Sequence, residues 1–319
     1  MTSNVPHTAN TPASAAHPSG PNHESERSGE RLVQVNGVEL CIETFGDRAA
    51  PAILLIAGAA SSMDWWEDEF CQRLAGGGRF VVRYDLRDTG RSVSYEAGSP
   101  PYTGLDLEAD AVGLLDALDL ASAHLVAISL GAGMAQHIAL DNPERVSSLT
   151  LMSSSPGGPG GPDQPDLPPP ADHIQAIFTE TAAEPDWSNR SAVIDSMVDE
   201  LRAFNGTLPF DEPRIRRIVT QVYDRTTNIA ASQTNHWILS DDDAPARSPI
   251  SEITAPTLVM HGTADPLFPI AHGEALAGDI PGARFIGLDG VGHEFPPPAV
   301  WDIVVSSILQ HTALGNRTV

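Results

Sequence analysis

The chain has 319 residues, 42 of them acidic and 18 basic, for a formal net charge of −24. Every basic residue is arginine. Without lysine there is no Schiff-base catalysis, no pyridoxal phosphate anchor and no P-loop lysine for nucleotide phosphates. The acidic balance argues against nucleic acid, anionic membranes and polyanionic substrates as partners.

Two cysteines, Cys41 and Cys71, make neither a disulfide framework nor a cysteine zinc site. They read as small buried hydrophobes. No apolar stretch is long enough to span a bilayer, and no charged region followed by an apolar one marks a leader. Cytoplasmic residence is the expectation.

Residues 1–30 are Ser, Pro, Asn, His and Ala with almost no large apolar side chains. Such a segment buries too little surface to offset its ordering entropy, so a disordered tail is expected. Two strand-like runs then flank Asn36-Gly37, a strong hairpin signal. Residues 51–56 (PAILLI) form a continuous apolar run, as for a strand buried on both faces. It leads into the small-residue loop Gly58-Ala59-Ala60. Residues 67–74 look helical, 79–84 (RFVVRY) form the next strand, and a polar turn follows (DLRDTGRS). Residues 105–118 place Leu107, Ala111, Leu114, Leu115 and Leu118 at helical spacing. Residues 124–128 are a strand, the stretch from Gly131 to Asn142 a helix, and 146–152 a strand again.

This alternation predicts right-handed crossovers and an α/β fold, with a mostly parallel sheet covered by helices on both faces. At Ser155 it breaks. A Pro/Gly-rich segment follows, and then only helical patterns up to about residue 243. Asp211 before Pro213 reads as a helix start. Strand and helix alternate again from Pro256. The expected organisation is a core in two parts, 31–155 and 249–319, with a helical cap inserted over 156–248.

Active sites in open parallel sheets form at the carboxyl ends of the strands. After residues 51–56 come Gly58 and Ala59. After residues 124–128 comes Ser129, in the string A-I-S-L-G. A serine between a strand and a helix, flanked by small residues, has the layout of a nucleophile elbow. Gly131 and Gly133 supply small residues after it, and Ala127 stands where glycine is usual. After residues 256–261 comes Asp265, and after 283–288 comes His293. Serine, acid and histidine thus follow in chain order, each just past a strand. A serine hydroxyl needs a base to take its proton, which is the expected part of His293. Asp265 would fix the imidazole tautomer. The N–H groups of Leu130 and Ala59 would stabilise an oxyanion. Asp289 and Glu294 remain as other candidate acids. His261, closing a strand, reads as packing or capping, and Asp85 and Arg87 as ties of the polar turn. Met63, Trp65, Trp66 and Trp237 line a pocket or belong to the core.

At these residues the chain resembles the α/β-hydrolase superfamily, and within it the methylesterases of anthracycline polyketide pathways (the aclacinomycin methylesterase group). The stretches that carry the resemblance are LLIAGAASSMDWWEDEF, VVRYDLRDTGRS, HLVAISLGAG, PTLVMHGTADPLFPIAHGEALAGDIPGA and GVGHEFP. Asp88 in the polar turn, where the superfamily prefers glycine, favours that subgroup. Ala127 and Ala59 depart from it, and both keep their backbone N–H groups. The resemblance covers about residues 31–155 and 249–319 and leaves the cap aside. It implies a Ser129–Asp265–His293 triad that works with no cofactor and no metal. The substrate does not carry over from the resemblance; the expected reaction is hydrolysis of a small hydrophobic ester, such as a methyl ester of a polycyclic compound. C–C, amide or peptide hydrolysis and perhydrolysis on the same machinery are the alternatives, followed by a non-catalytic ligand-binding role.

Overall fold

A computed structural model of the chain describes residue 1 and residues 27–156, 167–179, 185–239 and 249–314. Eight strands form one sheet: β1 (Arg31–Val35), β2 (Val38–Phe45), β3 (Ala52–Ile56), β4 (Phe80–Tyr84), β5 (Ala123–Ile128), β6 (Val146–Met152), β7 (Thr257–Gly262) and β8 (Arg284–Leu288). Their spatial order is β1-β2-β4-β3-β5-β6-β7-β8. The β1–β2 hairpin is antiparallel to β4, and every pairing from β4 to β8 is parallel. Asn36 and Gly37 both take positive φ, 48° and 83°, which is why this dipeptide suits the hairpin.

The apolar runs are explained by which face each residue serves. On β3, Leu54 and Ile56 join Leu125 and Ala127 of β5 beneath the helices α2 (Gly104–Ala117) and α3 (Leu130–Asp141). Ile53 and Leu55 point the other way, with Val126 and Ile128, against α1 (Asp68–Gly76) and the long C-terminal helix at Trp301–Leu314. A strand packed on both faces has no polar face, so its sequence loses the alternation of a half-exposed strand. Each fully buried Leu or Ile contributes about 1.5–3 kcal/mol to stability.

Between β6 and β7 the described residues hold only helices: α4 (Asp172–Thr179), α5 (Arg190–Phe204), α6 (Glu212–Arg225) and α7 (Ile229–Thr234), with a 3₁₀ turn at Asn235–Trp237. The side chain of Asp211 accepts from the N–H of Arg214 and caps α6. Residues 157–166, 180–184 and 240–248 of the expected cap lie outside the described residues. The helices have a core of their own, with Val193, Val198, Ile218 and Val222 buried together. They are tied to the sheet by charge. Buried Arg225 of α6 donates to Asp64 at 2.9 Å, to Asp85 after β4, and to Glu30 at 2.7 Å. Arg214 donates to Glu67 at 2.8 Å.

Of the expected N-terminal tail, residues 2–26 lie outside the described residues. Residues 27–30 are packed on the sheet. Arg27 donates to Glu43 and Asp68, the N–H of Ser28 reaches the carbonyl of Thr44, and Glu30 accepts from Arg225. Composition did not reveal this, because these contacts are ion pairs and a backbone hydrogen bond whose partners are distant in sequence. Both cysteines are buried and free. No helix among the described residues is long and apolar enough to cross a membrane.

Four histidines, His124, His236, His261 and His311, are nearly or wholly buried. Burial lowers the pKa of each, that of His124 to about 4. They are neutral in the folded protein, whereas the unfolded chain protonates them near the ordinary value of about 6.5. The unfolded state therefore binds more protons, and stability falls as pH drops below that value. His124 alone accounts for on the order of 3 kcal/mol by the time its folded-state pKa is reached. Thermal melts between about pH 7.5 and 5.5 should show Tm falling with more than one proton taken up. A flat profile over that range would mean that these rings are accessible.

Candidate active site

β5 ends at Ile128 and α3 begins at Leu130, so Ser129 must turn the chain within one residue. It does so with φ 52° and ψ −120°, a sparsely populated conformation for a side-chain-bearing residue that costs about 1–3 kcal/mol. The turn is held on both sides. Its N–H donates to the carbonyl of Met152 at 3.0 Å, and its carbonyl accepts from Ala132 and Gly133 at 2.9 and 3.1 Å. Gly131 is obligatory here, since a Cβ would stand 2.4 Å from the carbonyl oxygen of Ala57. Gly133, expected to serve the same need, has open space around it. Ala127 is fully buried on the α2–α3 face of the sheet, where its methyl group forms part of the core.

Three side chains from separate loops converge. His293 Nε2 lies 3.0 Å from Ser129 Oγ, and its Nδ1 lies 2.9 Å from Asp265 Oδ2. The other oxygen of Asp265 accepts the N–H groups of Leu267 and Phe268 at 2.9 and 2.8 Å. A carboxylate only accepts, so the proton of neutral His293 sits on Nδ1 and Nε2 is free to accept from the serine hydroxyl. The histidine loop depends on glycine. A Cβ on Gly292 would stand 2.2 Å from the carbonyl oxygen of Phe204. Its close approach lets the N–H of His293 bond that same carbonyl at 2.9 Å, so the end of α5 helps seat the histidine.

Other residues fall where they were expected or beside it. His261 is buried and donates from Nε2 to the carbonyl of Phe268 at 2.7 Å, a packing and capping role. Asp85 accepts from the N–H groups of Met63 and Arg91 as well as from Arg225. Arg87 pairs with Asp110. Asp289 is bonded by Thr263 and Glu294 by the N–H of Gly292.

Ser129 and His293 open into a cavity of about 140 Å³. Gly58 and Ala59 from the loop after β3 form its floor beside Ser129, and a Cβ on Gly58 would touch the serine Cβ at 3.3 Å. Trp65 and Trp237 are in its wall, while Met63 and Trp66 are core residues. Met197, Leu201 and Phe204, on one face of α5, complete an apolar lining with Phe210. Nothing in the sequence singles these residues out, because an amphipathic stripe that faces a cavity has the same spacing as one that faces a core. Arg214 in the wall is neutralised by Glu67. Desolvation raises the carboxyl pKa of both Glu200 and Glu294, which also line the cavity.

A parallel sheet with an antiparallel hairpin at one edge, and a serine, an acid and a histidine past successive strands, define a class. The chain belongs to the α/β hydrolase fold family, whose model matches residues 51–297. Among curated proteins it is similar to the rhodomycin D methylesterase DauP of Streptomyces sp. (strain C5), 33% identical over 88% of this chain and 97% of the relative. The rhodomycin D methylesterase DnrP of Streptomyces peucetius has the same identity and coverage. Among solved structures, the 2-hydroxy-6-oxo-6-phenylhexa-2,4-dienoate hydrolase of Rhodococcus sp. strain RHA1 shares the fold with a TM-score of 0.71 and 19% identity. That likeness covers 91% of this chain and 99% of the other.

Proposed function

We propose that the protein is a serine hydrolase that cleaves a carboxylic ester, in particular a methyl ester of a bulky hydrophobic compound. The observation that carries this reading is the unbroken hydrogen-bond chain Ser129–His293–Asp265 at the floor of an apolar cavity. The relatives named as methylesterases support the ester and the methyl leaving group.

In this reading Ser129 Oγ attacks the ester carbonyl carbon as His293 Nε2 takes the hydroxyl proton. The carbonyl π pair moves to oxygen, and the N–H groups of Leu130 and Ala59 stabilise the oxyanion. Leu130 is the first residue of α3, where an N–H has no intrahelical acceptor and the helix dipole favours negative charge. Collapse breaks the bond to the alkoxy oxygen, which leaves as the alcohol with the proton from His293. Water then attacks the acyl-enzyme, again giving its proton to His293. The acid departs, and the proton returns to Ser129. Trp65, Phe204 and the aliphatic side chains of α5 would hold the acyl part away from water, which strengthens the hydrogen bonds to the oxyanion.

A panel of p-nitrophenyl esters of graded chain length, with one bulky methyl ester beside them, tests the reading. Turnover with kcat/KM rising as the acyl group becomes more apolar is expected. Failure to hydrolyse any ester would refute it and favour the amide, C–C or binding alternatives.

A further inference from the structure

We infer that His236 is a positioning residue for the oxyanion site, holding the loop after β3 in the conformation that presents the N–H of Ala59. The inference rests on the serine hydrolase reading above. His236 lies in the 3₁₀ turn after α7, outside the sheet, and is buried. Its Nε2 stands 2.8 Å from the carbonyl oxygen of Arg87, which only accepts, so Nε2 carries the proton. Nδ1 of the neutral ring is therefore an acceptor, and it receives the N–H of Ala60 at 3.0 Å. Burial lowers the pKa of the ring and keeps it in this neutral form.

The Ala59–Ala60 peptide unit is thereby fixed at both ends. Its N–H goes to His236, and its carbonyl accepts from Ser61 Oγ at 3.0 Å. The next carbonyl, that of Ala60, accepts from Gln233 Nε2 at 3.2 Å. This restraint is needed because Ala60 has φ 55°. A non-glycine residue there is disfavoured, and rotation of the adjoining peptides would relieve it. Rotating the Ala59–Ala60 unit would break the bond to His236 and redirect the backbone on which the N–H of Ala59 is carried. The helical segment thus does more than wall the cavity. It reaches down through one ring, braced on the loop after β4, to set a backbone group next to Ser129.

The test compares His236→Ala, His236→Asn and His236→Gln in the full chain. The Oδ1 of asparagine stands near the position of Nδ1 and can still accept from Ala60, whereas the glutamine oxygen falls nearer to Nε2. The readouts are kcat and KM on one p-nitrophenyl ester, and the affinity of an alkyl trifluoromethyl ketone, which adds Ser129 to form an oxyanion. In His236→Ala, kcat should fall by about 10- to 100-fold, with KM within about twofold of wild type. Affinity for the ketone should fall by the same factor as kcat. His236→Asn should recover most of both losses, and His236→Gln should not. If His236→Ala does not fold, the Asn and Gln variants carry the comparison alone. Wild-type ketone affinity in His236→Ala would overturn the proposal. So would equal behaviour of the Asn and Gln variants, which would leave the ring a packing role only. Failure of the underlying reading has a separate signature, since the wild-type protein itself would then turn over no ester.

Discussion

Ser129→Ala is expected to abolish turnover and to remove all covalent labelling by a fluorophosphonate, with little change in melting temperature. The side chain loses only an oxygen that takes part in no structural bond beyond His293. The backbone bonds to Met152, Ala132 and Gly133 do not depend on it. The fall in kcat should be on the order of 10⁶, as when the nucleophile of a comparable triad is removed. Phosphonylation needs the same nucleophile and base as ester cleavage, so label and activity should vanish together. Mass spectrometry of the intact protein and of its peptides reads both the stoichiometry and the site. A label that persists in Ser129→Ala, on any other residue, would show that the reactive group is elsewhere.

Much of the sheet and the three converging residues were legible in the sequence, for a specific reason. Strands buried on both faces are written as mainly apolar runs: β3 is unbroken, and β4, β5 and β7 are wholly buried with only Arg83, His124, Thr257 and His261 as polar interruptions. In such a sheet a functional residue follows directly on a strand end, so chain order alone aligned Ser129, Asp265 and His293. What could not be read depends on contacts between segments far apart in sequence. Trp65 faces the cavity and Trp66 the core, although they are adjacent and chemically alike. The bond from Ala60 to His236 spans 176 residues, and that from Arg225 to Asp85 spans 140. Gly131 and Gly133 looked equivalent, and only the position of the Ala57 carbonyl separates them. The helical segment between β6 and β7 is the extreme case. Its helices are evident from spacing, but which face lines the site follows from how α5 docks, through the bond between the His293 N–H and the Phe204 carbonyl.

Asp265→Asn should slow the reaction by about 10⁴, the size of the effect when the acid of a serine protease triad becomes an amide. The local hydrogen bonds specify how. Oδ1 of Asp265 accepts two backbone N–H groups, from Leu267 and Phe268. An asparagine amide must direct its oxygen to that pair, because the reverse orientation would set its NH₂ against two donors. The NH₂ then occupies the position of Oδ2, 2.9 Å from Nδ1 of His293. A donor at that position makes Nδ1 the acceptor, and the ring proton moves to Nε2. There it faces Ser129 Oγ, and the base can no longer take the hydroxyl proton. Neither remaining acid repairs this, since Asp289 bonds Thr263 and Glu294 bonds the N–H of Gly292, and neither meets the imidazole. The substrate cavity is untouched, so KM should stay near wild type while kcat falls, and fluorophosphonate labelling should slow in parallel. Asp265→Ala should slow the reaction by a similar order, about 3 × 10⁴ in the precedent, because it too removes the group that fixes the imidazole tautomer. A near-normal rate in Asp265→Asn would mean that the imidazole is oriented by some other group, and that the observed contact with Asp265 is structural only.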